Sequence, residues 1–114
     1  MIRRANQQRV EKKEHLRGGE GYVTLQHLLE PGESCGKCKM IARITIEPGN
    51  TIGDHAHNPD AELCYLLEGE LTITDGGEEH VMHPGDAWIC GEGNRHCTMN
   101  KSDAPAVFLG IVIE

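Results

Sequence analysis

Between Met40 and Glu47 apolar and polar residues alternate: Met40, Ala42, Ile44 and Ile46 on one side, Arg43, Thr45 and Glu47 on the other. A period of two belongs to a β-strand with one buried face. The run stops at Pro48-Gly49, a turn dipeptide, and the same grammar recurs to the end of the chain. Short runs at Tyr22–His27, Thr51–His57, Glu62–Leu67, Leu71–Thr74, Glu79–His83, Ala87–Cys90, His96–Asn100 and Ala106–Ile113 are separated by Asn58-Pro59-Asp60, Asp75-Gly76-Gly77, Pro84-Gly85, Gly91-Glu92-Gly93 and Asp103-Ala104-Pro105. About nine short strands without a convincing helix predict an all-β fold, an antiparallel sandwich or barrel. With 114 residues there is room for one core and not for two. We divide the chain into a polar N-terminal arm, 1–21, and a barrel domain, 22–114. Residues 5–16 are the one stretch that could hold a helix. Arg17-Gly18-Gly19-Glu20-Gly21 reads as a flexible turn into the first barrel strand and lacks the phosphate-loop pattern.

On that scaffold, two clusters carry chemistry. His55 and His57 are two apart, so on a strand both imidazoles aim to one side, and Glu62 can reach the same point from the next strand. His-x-His alone is weak, expected roughly 0.4 times by chance in a chain with this many histidines. The added glutamate and the flanking Gly49 and Gly69 lower that to about one in a thousand. Downstream, Gly85, Gly91 and Gly93 precede His96 and Asn100. Two imidazoles and a carboxylate suit a divalent metal of the Fe, Mn, Ni or Zn kind.

The first cluster resembles the first cupin motif, G-x5-H-x-H-x4-E-x6-G, without gap or substitution. The second resembles the second cupin motif, G-x5-P-x-G-x2-H-x3-N, with Gly91 where proline is usual. The chain is thus identified as a member of the cupin superfamily, similar to its small single-domain bacterial proteins of the cupin 2 kind. The resemblance implies a double-stranded β-helix, or jelly roll, with one divalent metal held by His55, His57, Glu62 and His96. It also implies a homodimer to which the N-terminal segments contribute. For function it implies a metalloenzyme acting on a small oxygen-rich molecule by dioxygenase, decarboxylase, isomerase or lyase chemistry. The alternative is a non-catalytic, metal-dependent binding or sensing module. The fold does not choose among these. No length remains for a fused regulatory domain, which favours the enzyme.

Cys64, two after Glu62, and Thr98 and Asn100, two and four after His96, share faces with the ligands and are candidates for the second shell or the pocket. The plain reading of Cys64 is a small buried hydrophobe. Cys35-x2-Cys38 has no partner pair and reads as a loop with two free thiols. His80 and His83 are three apart and read as surface residues. Trp88 and Tyr65 fit core or interface better than pocket.

Charge divides the chain. Residues 1–17 carry six Lys and Arg against two Glu, or +4, and the rest carries five against sixteen, or −11, which sum to the net −7. The acidic total argues against nucleic acid, and no aromatic residue interleaves the basic arm for stacking. The arm is expected to pack on the acidic body of its own or a neighbouring subunit. No signal-peptide pattern or membrane-length apolar run is present, and the odd cysteine number suits a reducing compartment, so a cytoplasmic protein is expected.

Overall fold

The structure is a computed structural model that describes residues 1–114. It contains ten strands: β1 Arg9–Glu14, β2 Tyr22–Leu29, β3 Cys38–Ile46, β4 Thr51–Ala56, β5 Ala61–Glu68, β6 Leu71–Asp75, β7 Glu78–Met82, β8 Ala87–Gly91, β9 Arg95–Met99 and β10 Ala106–Ile113. They form a six-stranded sheet, β1-β2-β3-β10-β5-β8, and a four-stranded sheet, β4-β9-β6-β7. Every pairing is antiparallel. This is the jelly roll expected from the sequence, and its nine predicted strands are β2 to β10.

The core lies between the sheets. Val23, Leu25, Ala42, Ile44, Ile46, Leu66, Trp88 and Phe108 face inward from the larger sheet, and Ile52, Leu71 and Ile73 meet them from the smaller one. The alternation of β3 therefore marks burial correctly. Asp75 pairs with Glu78 across Gly76 and Gly77, whose φ values of 60° and 85° give the tight turn that only glycine adopts without strain.

The arm departs from expectation. Residues 5–16 hold a 3₁₀ turn, Ala5–Gln7, and then strand β1 in place of a helix. The Glu and Lys of this segment favour helix weakly, but pairing with β2 supplies backbone hydrogen bonds along the whole strand and overrides that preference. Arg9, Glu11 and Lys13 stand opposite His27, Leu25 and Val23, the inward residues of β2, so they point to the barrel side. Inward charges on an edge strand also discourage pairing with another chain. Arg3 meets Glu33 at 2.8 Å and Arg9 meets Glu30 at 2.7 Å, so the arm does pack on its own acidic body.

Nor is the glycine cluster a loose connector. Leu16–Gly18 form a second 3₁₀ turn lying against β4. The approach is so close that a Cβ on Gly19 would collide with the Thr51 carbonyl, and one on Gly53 with the Arg17 carbonyl. Arg17 itself is left-handed, at φ 54° and ψ 31°. Few non-glycine residues adopt that conformation.

Candidate metal centre

Three of the four expected ligands come from the smaller sheet and one from the larger. His55 and His96 are direct cross-strand partners on β4 and β9, which places both rings on the inward face. His57 follows the end of β4. Its carbonyl accepts from the Gly93 N–H at 2.8 Å, and its N–H donates to the Asn94 carbonyl at 3.2 Å. The β8–β9 turn thus holds His57 in place. Gly91, the departure from the usual proline, ends β8 just before that turn and packs so tightly on its partner Ala61 that a Cβ would stand 2.8 Å from the Ala61 side chain. Glu62 reaches across from β5.

The four ligand atoms all lie within 4.8 Å of one another. His55 Nε2 is 3.1 Å from His57 Nε2 and 2.9 Å from His96 Nε2. Glu62 Oε1 is 3.3 Å from His96 Nε2 and 3.8 Å from His57 Nε2. Bonds of about 2.1 Å to a shared ion would set neighbouring ligands about 3.0 to 3.4 Å apart, for octahedral and tetrahedral arrangements. The spacings fall around that range.

Proton placement sharpens the fit. His55 Nδ1 is 2.7 Å from the Gly53 carbonyl and His57 Nδ1 is 3.1 Å from Asp60 Oδ1. Both partners only accept, so both rings carry their proton on Nδ1. Two bare Nε2 lone pairs then face each other across 3.1 Å, which is repulsive unless a cation lies between them. Burial pushes the pKa of His55 down and that of His96 down to about 4, with the neighbouring imidazoles adding to the effect. Neutral rings are the metal-binding form. Burial raises the pKa of Glu62, against the opposing pull of His57 and Arg17. A bound cation would restore its charge. Asp60 is a ligand-orienting residue the sequence reading took only for a turn. Burial acts upward on its pKa, but the bonds from Lys39 and His57 outweigh it and keep Asp60 ionised. Its signal was its place three residues after His57.

The remaining candidates separate. Cys64 is buried beside Glu62, and burial together with that carboxylate pushes its thiol pKa up, so it stays a neutral thiol and no nucleophile. Thr98 lines the cavity that opens on the cluster. Asn100 does not. Its amide donates to the Ile46 and Ala104 carbonyls, and its oxygen accepts from the Ser102 N–H and hydroxyl, so its hydrogen bonds are spent on tying the loop before β10 to the end of β3. Trp88 is core, packed on Phe108, while Tyr65 lies on the outer face, 43% exposed. His80 and His83 are exposed at their side chains. Cys35 lies in the β2–β3 turn and Cys38 opens β3, both with free thiols.

The cavity beside the cluster measures about 170 Å³. Leu25, Met40, Ile44, Ile52 and Val112 form its apolar wall, and His55, His57 and Glu62 its floor. Its remaining polar lining is Thr98, Lys13 and Arg17, the last two from the arm. A larger cavity of about 290 Å³ on the other side touches only His96 of the four ligands.

Comparison with known proteins agrees with this architecture. The oxalate-binding protein of Thermotoga maritima is 30% identical over 113 residues, 99% of this chain and 93% of that one. A crystal structure from Thermotoga maritima, described as a predicted oxalate decarboxylase, superposes with a TM-score of 0.94 at 30% identity, covering 99% of this chain and 98% of that one. A sugar phosphate isomerase of the cupin superfamily from Silicibacter pomeroyi matches at 30% identity and a TM-score of 0.69 over 81% of this chain and 59% of that one. The sequence profile of the cupin domain matches residues 42–112, from mid-β3 to the end of β10. The chain belongs to the cupin family.

Proposed function

We propose that this chain holds one divalent metal ion through His55, His57, Glu62 and His96 and binds a small oxygen-rich acid against it. The observation that carries this reading is the convergence of three imidazole Nε2 atoms and one carboxylate at the floor of a 170 Å³ cavity. At about 30 Å³ per water that space suits a ligand of about six heavy atoms. The apolar wall excludes water and strengthens polar contacts at the floor. The Gly53 carbonyl and Asp60 hold two imidazoles in the ligating tautomer. The name of the oxalate-binding relative is consistent with a carboxylate ligand.

Turnover is the second reading, favoured by the room left beside the ligand cluster. When bound, the ion supplies Lewis acidity or, for Fe and Mn, redox chemistry. Around it, Thr98 offers a hydroxyl to the ligand and the neutral Cys64 thiol lies beside Glu62. No carboxylate other than Glu62 lines the cavity, so this chain brings no separate carboxylate for proton transfer there.

Untagged protein should carry close to one metal per chain by elemental analysis and bind oxalate saturably by calorimetry. A chain without metal, or one whose oxalate binding survives complete chelation, contradicts the reading. Product analysis over oxalate and related acids, with Fe, Mn, Ni and Zn each reconstituted, separates an enzyme from a binder.

The expected homodimer stays a proposal. Its support is the outer face of the larger sheet, where Ile41, Leu63, Tyr65, Ile89, Leu109 and Ile111 are register neighbours and Ile89 is 70% exposed. Light scattering should give twice the chain mass, and Ile89→Asp should shift it to the monomer. No helix is long and apolar enough to cross a membrane. A cytoplasmic location remains an expectation.

A further inference from the structure

We infer that Arg17, carried over the cavity by the left-handed 3₁₀ turn of the arm, is the residue that selects a dianion: its guanidinium takes the second carboxylate of a small dicarboxylate whose first carboxylate lies on the metal. This deepens the reading above and rests on it.

Four observations meet at Arg17. It lines the same cavity as His55, His57 and Glu62, with Lys13 as the second cation there. Its charge is unspent. Arg3, Arg9, Arg43 and Arg95 each pair with a carboxylate, and Arg17 does not. Its backbone is held in the left-handed region, at φ 54°. An unusual backbone at a ligand cavity is a mark of a position fixed for its side chain. Finally, the turn is seated by two glycines that admit no Cβ, Gly19 against Thr51 and Gly53 against the Arg17 carbonyl. Gly53 also supplies the carbonyl that orients His55. One residue thus fixes both the arginine and a metal ligand.

The charges point to the ligand class. Beyond residue 17 the chain carries −11, yet the cavity mouth presents two unpaired cations. Neutral imidazoles, one carboxylate and a divalent ion sum to about +1, and Lys13 and Arg17 raise that to about +3. A monoanion leaves most of it uncompensated, and a dianion offsets two charges. A planar guanidinium matches a carboxylate with two parallel N–H donors, which a lysine cannot do. The cavity volume suits a dianion of about the size of oxalate or malonate.

Oxalate and glycolate separate this from metal chelation. Both can present two oxygens to one metal, but glycolate carries a single negative charge. Calorimetry on Mn²⁺-loaded wild type, Arg17→Gln, Arg17→Lys and His57→Ala, with metal content measured on each sample, gives the readout. Arg17→Gln should keep its metal and its melting temperature, lose about tenfold or more in oxalate affinity, and change little for glycolate. Arg17→Lys should recover part of the loss. Wild-type oxalate binding by Arg17→Gln, or equal losses for both acids, would overturn the inference, as would loss of metal in that variant. Wild-type oxalate binding by His57→Ala would overturn the metal reading and this one with it. Normal binding by Arg17→Gln beside impaired binding by His57→Ala would sink the arginine alone.

Discussion

The floor and the mouth of the cavity are built by different means. At the floor, β4, β5, β9 and the residue that follows β4 deliver four ligands from two facing hydrogen-bonded sheets, with His57 and His96 buried. At the mouth, an edge strand and a 3₁₀ turn deliver Lys13 and Arg17, both exposed. The floor owes its geometry to strand register, His55 against His96 above all. The mouth owes its geometry to two missing Cβ atoms, at Gly19 and Gly53. A floor made this way is rigid and chemically generic. Lys13 and Arg17 can be changed without touching a strand that bears a ligand, while Gly53, in β4, belongs to floor and mouth alike. The account therefore places metal binding in the sheets and ligand choice in the arm.

The sharpest way to break that division is at the floor. His57→Ala removes one ligand and leaves Asp60 without its imidazole partner. Metal content should fall from near one per chain to under about a tenth at stoichiometric metal, a loss typical of removing a ligand rather than a supporting residue. Asp60→Ala removes only the group that orients His57. It should lower metal affinity by about 10- to 100-fold, measured by competition with a chromogenic chelator. If Asp60→Ala equalled His57→Ala, Asp60 would be acting as more than a support.

At the mouth the expected effects are smaller and of another kind. Gly19→Ala forces the turn away from Thr51 and should cost about 1–3 kcal/mol in urea unfolding. It should weaken oxalate binding while leaving metal stoichiometry at wild type. Metal loss in Gly19→Ala would show that floor and mouth are one unit.

The smallest effect is on pH. In the folded chain the pKa of His96 is about 4 and that of His55 is also lowered, against 6.5 when exposed. Between those values the unfolded chain holds protons the folded one does not, so stability rises with pH. Metal-free protein should thus keep this contribution in full above pH 6.5 and lose it as pH falls toward 4. Glu62, raised by burial, works in the opposite direction and trims the loss. Urea midpoints across that range test it, and a midpoint that rises on acidification would contradict the buried, neutral histidines.

The same division explains what the sequence revealed. Most of strands β2 to β10 were legible because a buried face writes a period of two into the residues; β7, exposed but for Met82, was legible from the turns on either side of it, Asp75-Gly76-Gly77 and Pro84-Gly85. The four ligands were legible because register on a strand is local, so a spacing of two or a fixed offset to the next strand survives as a motif. Strand β1 was not legible. With only Glu11 partly covered, its residues carry no burial pattern, and their Glu and Lys content leans toward helix. The seating of Arg17 was hidden for another reason. It depends on contact between residues 17–19 and 51–53, which only the folded chain brings together. Asn100 shows the converse: its position four after His96 is right for the ligand face, but the end of β3 and the loop before β10 use its hydrogen bonds.

The most direct measurement is an anomalous difference map from crystals grown with Mn²⁺. The account predicts one strong peak per chain, within bonding distance of the Nε2 atoms of His55, His57 and His96 and of the Glu62 carboxylate. No peak there, or a peak that leaves His96 out, would contradict it.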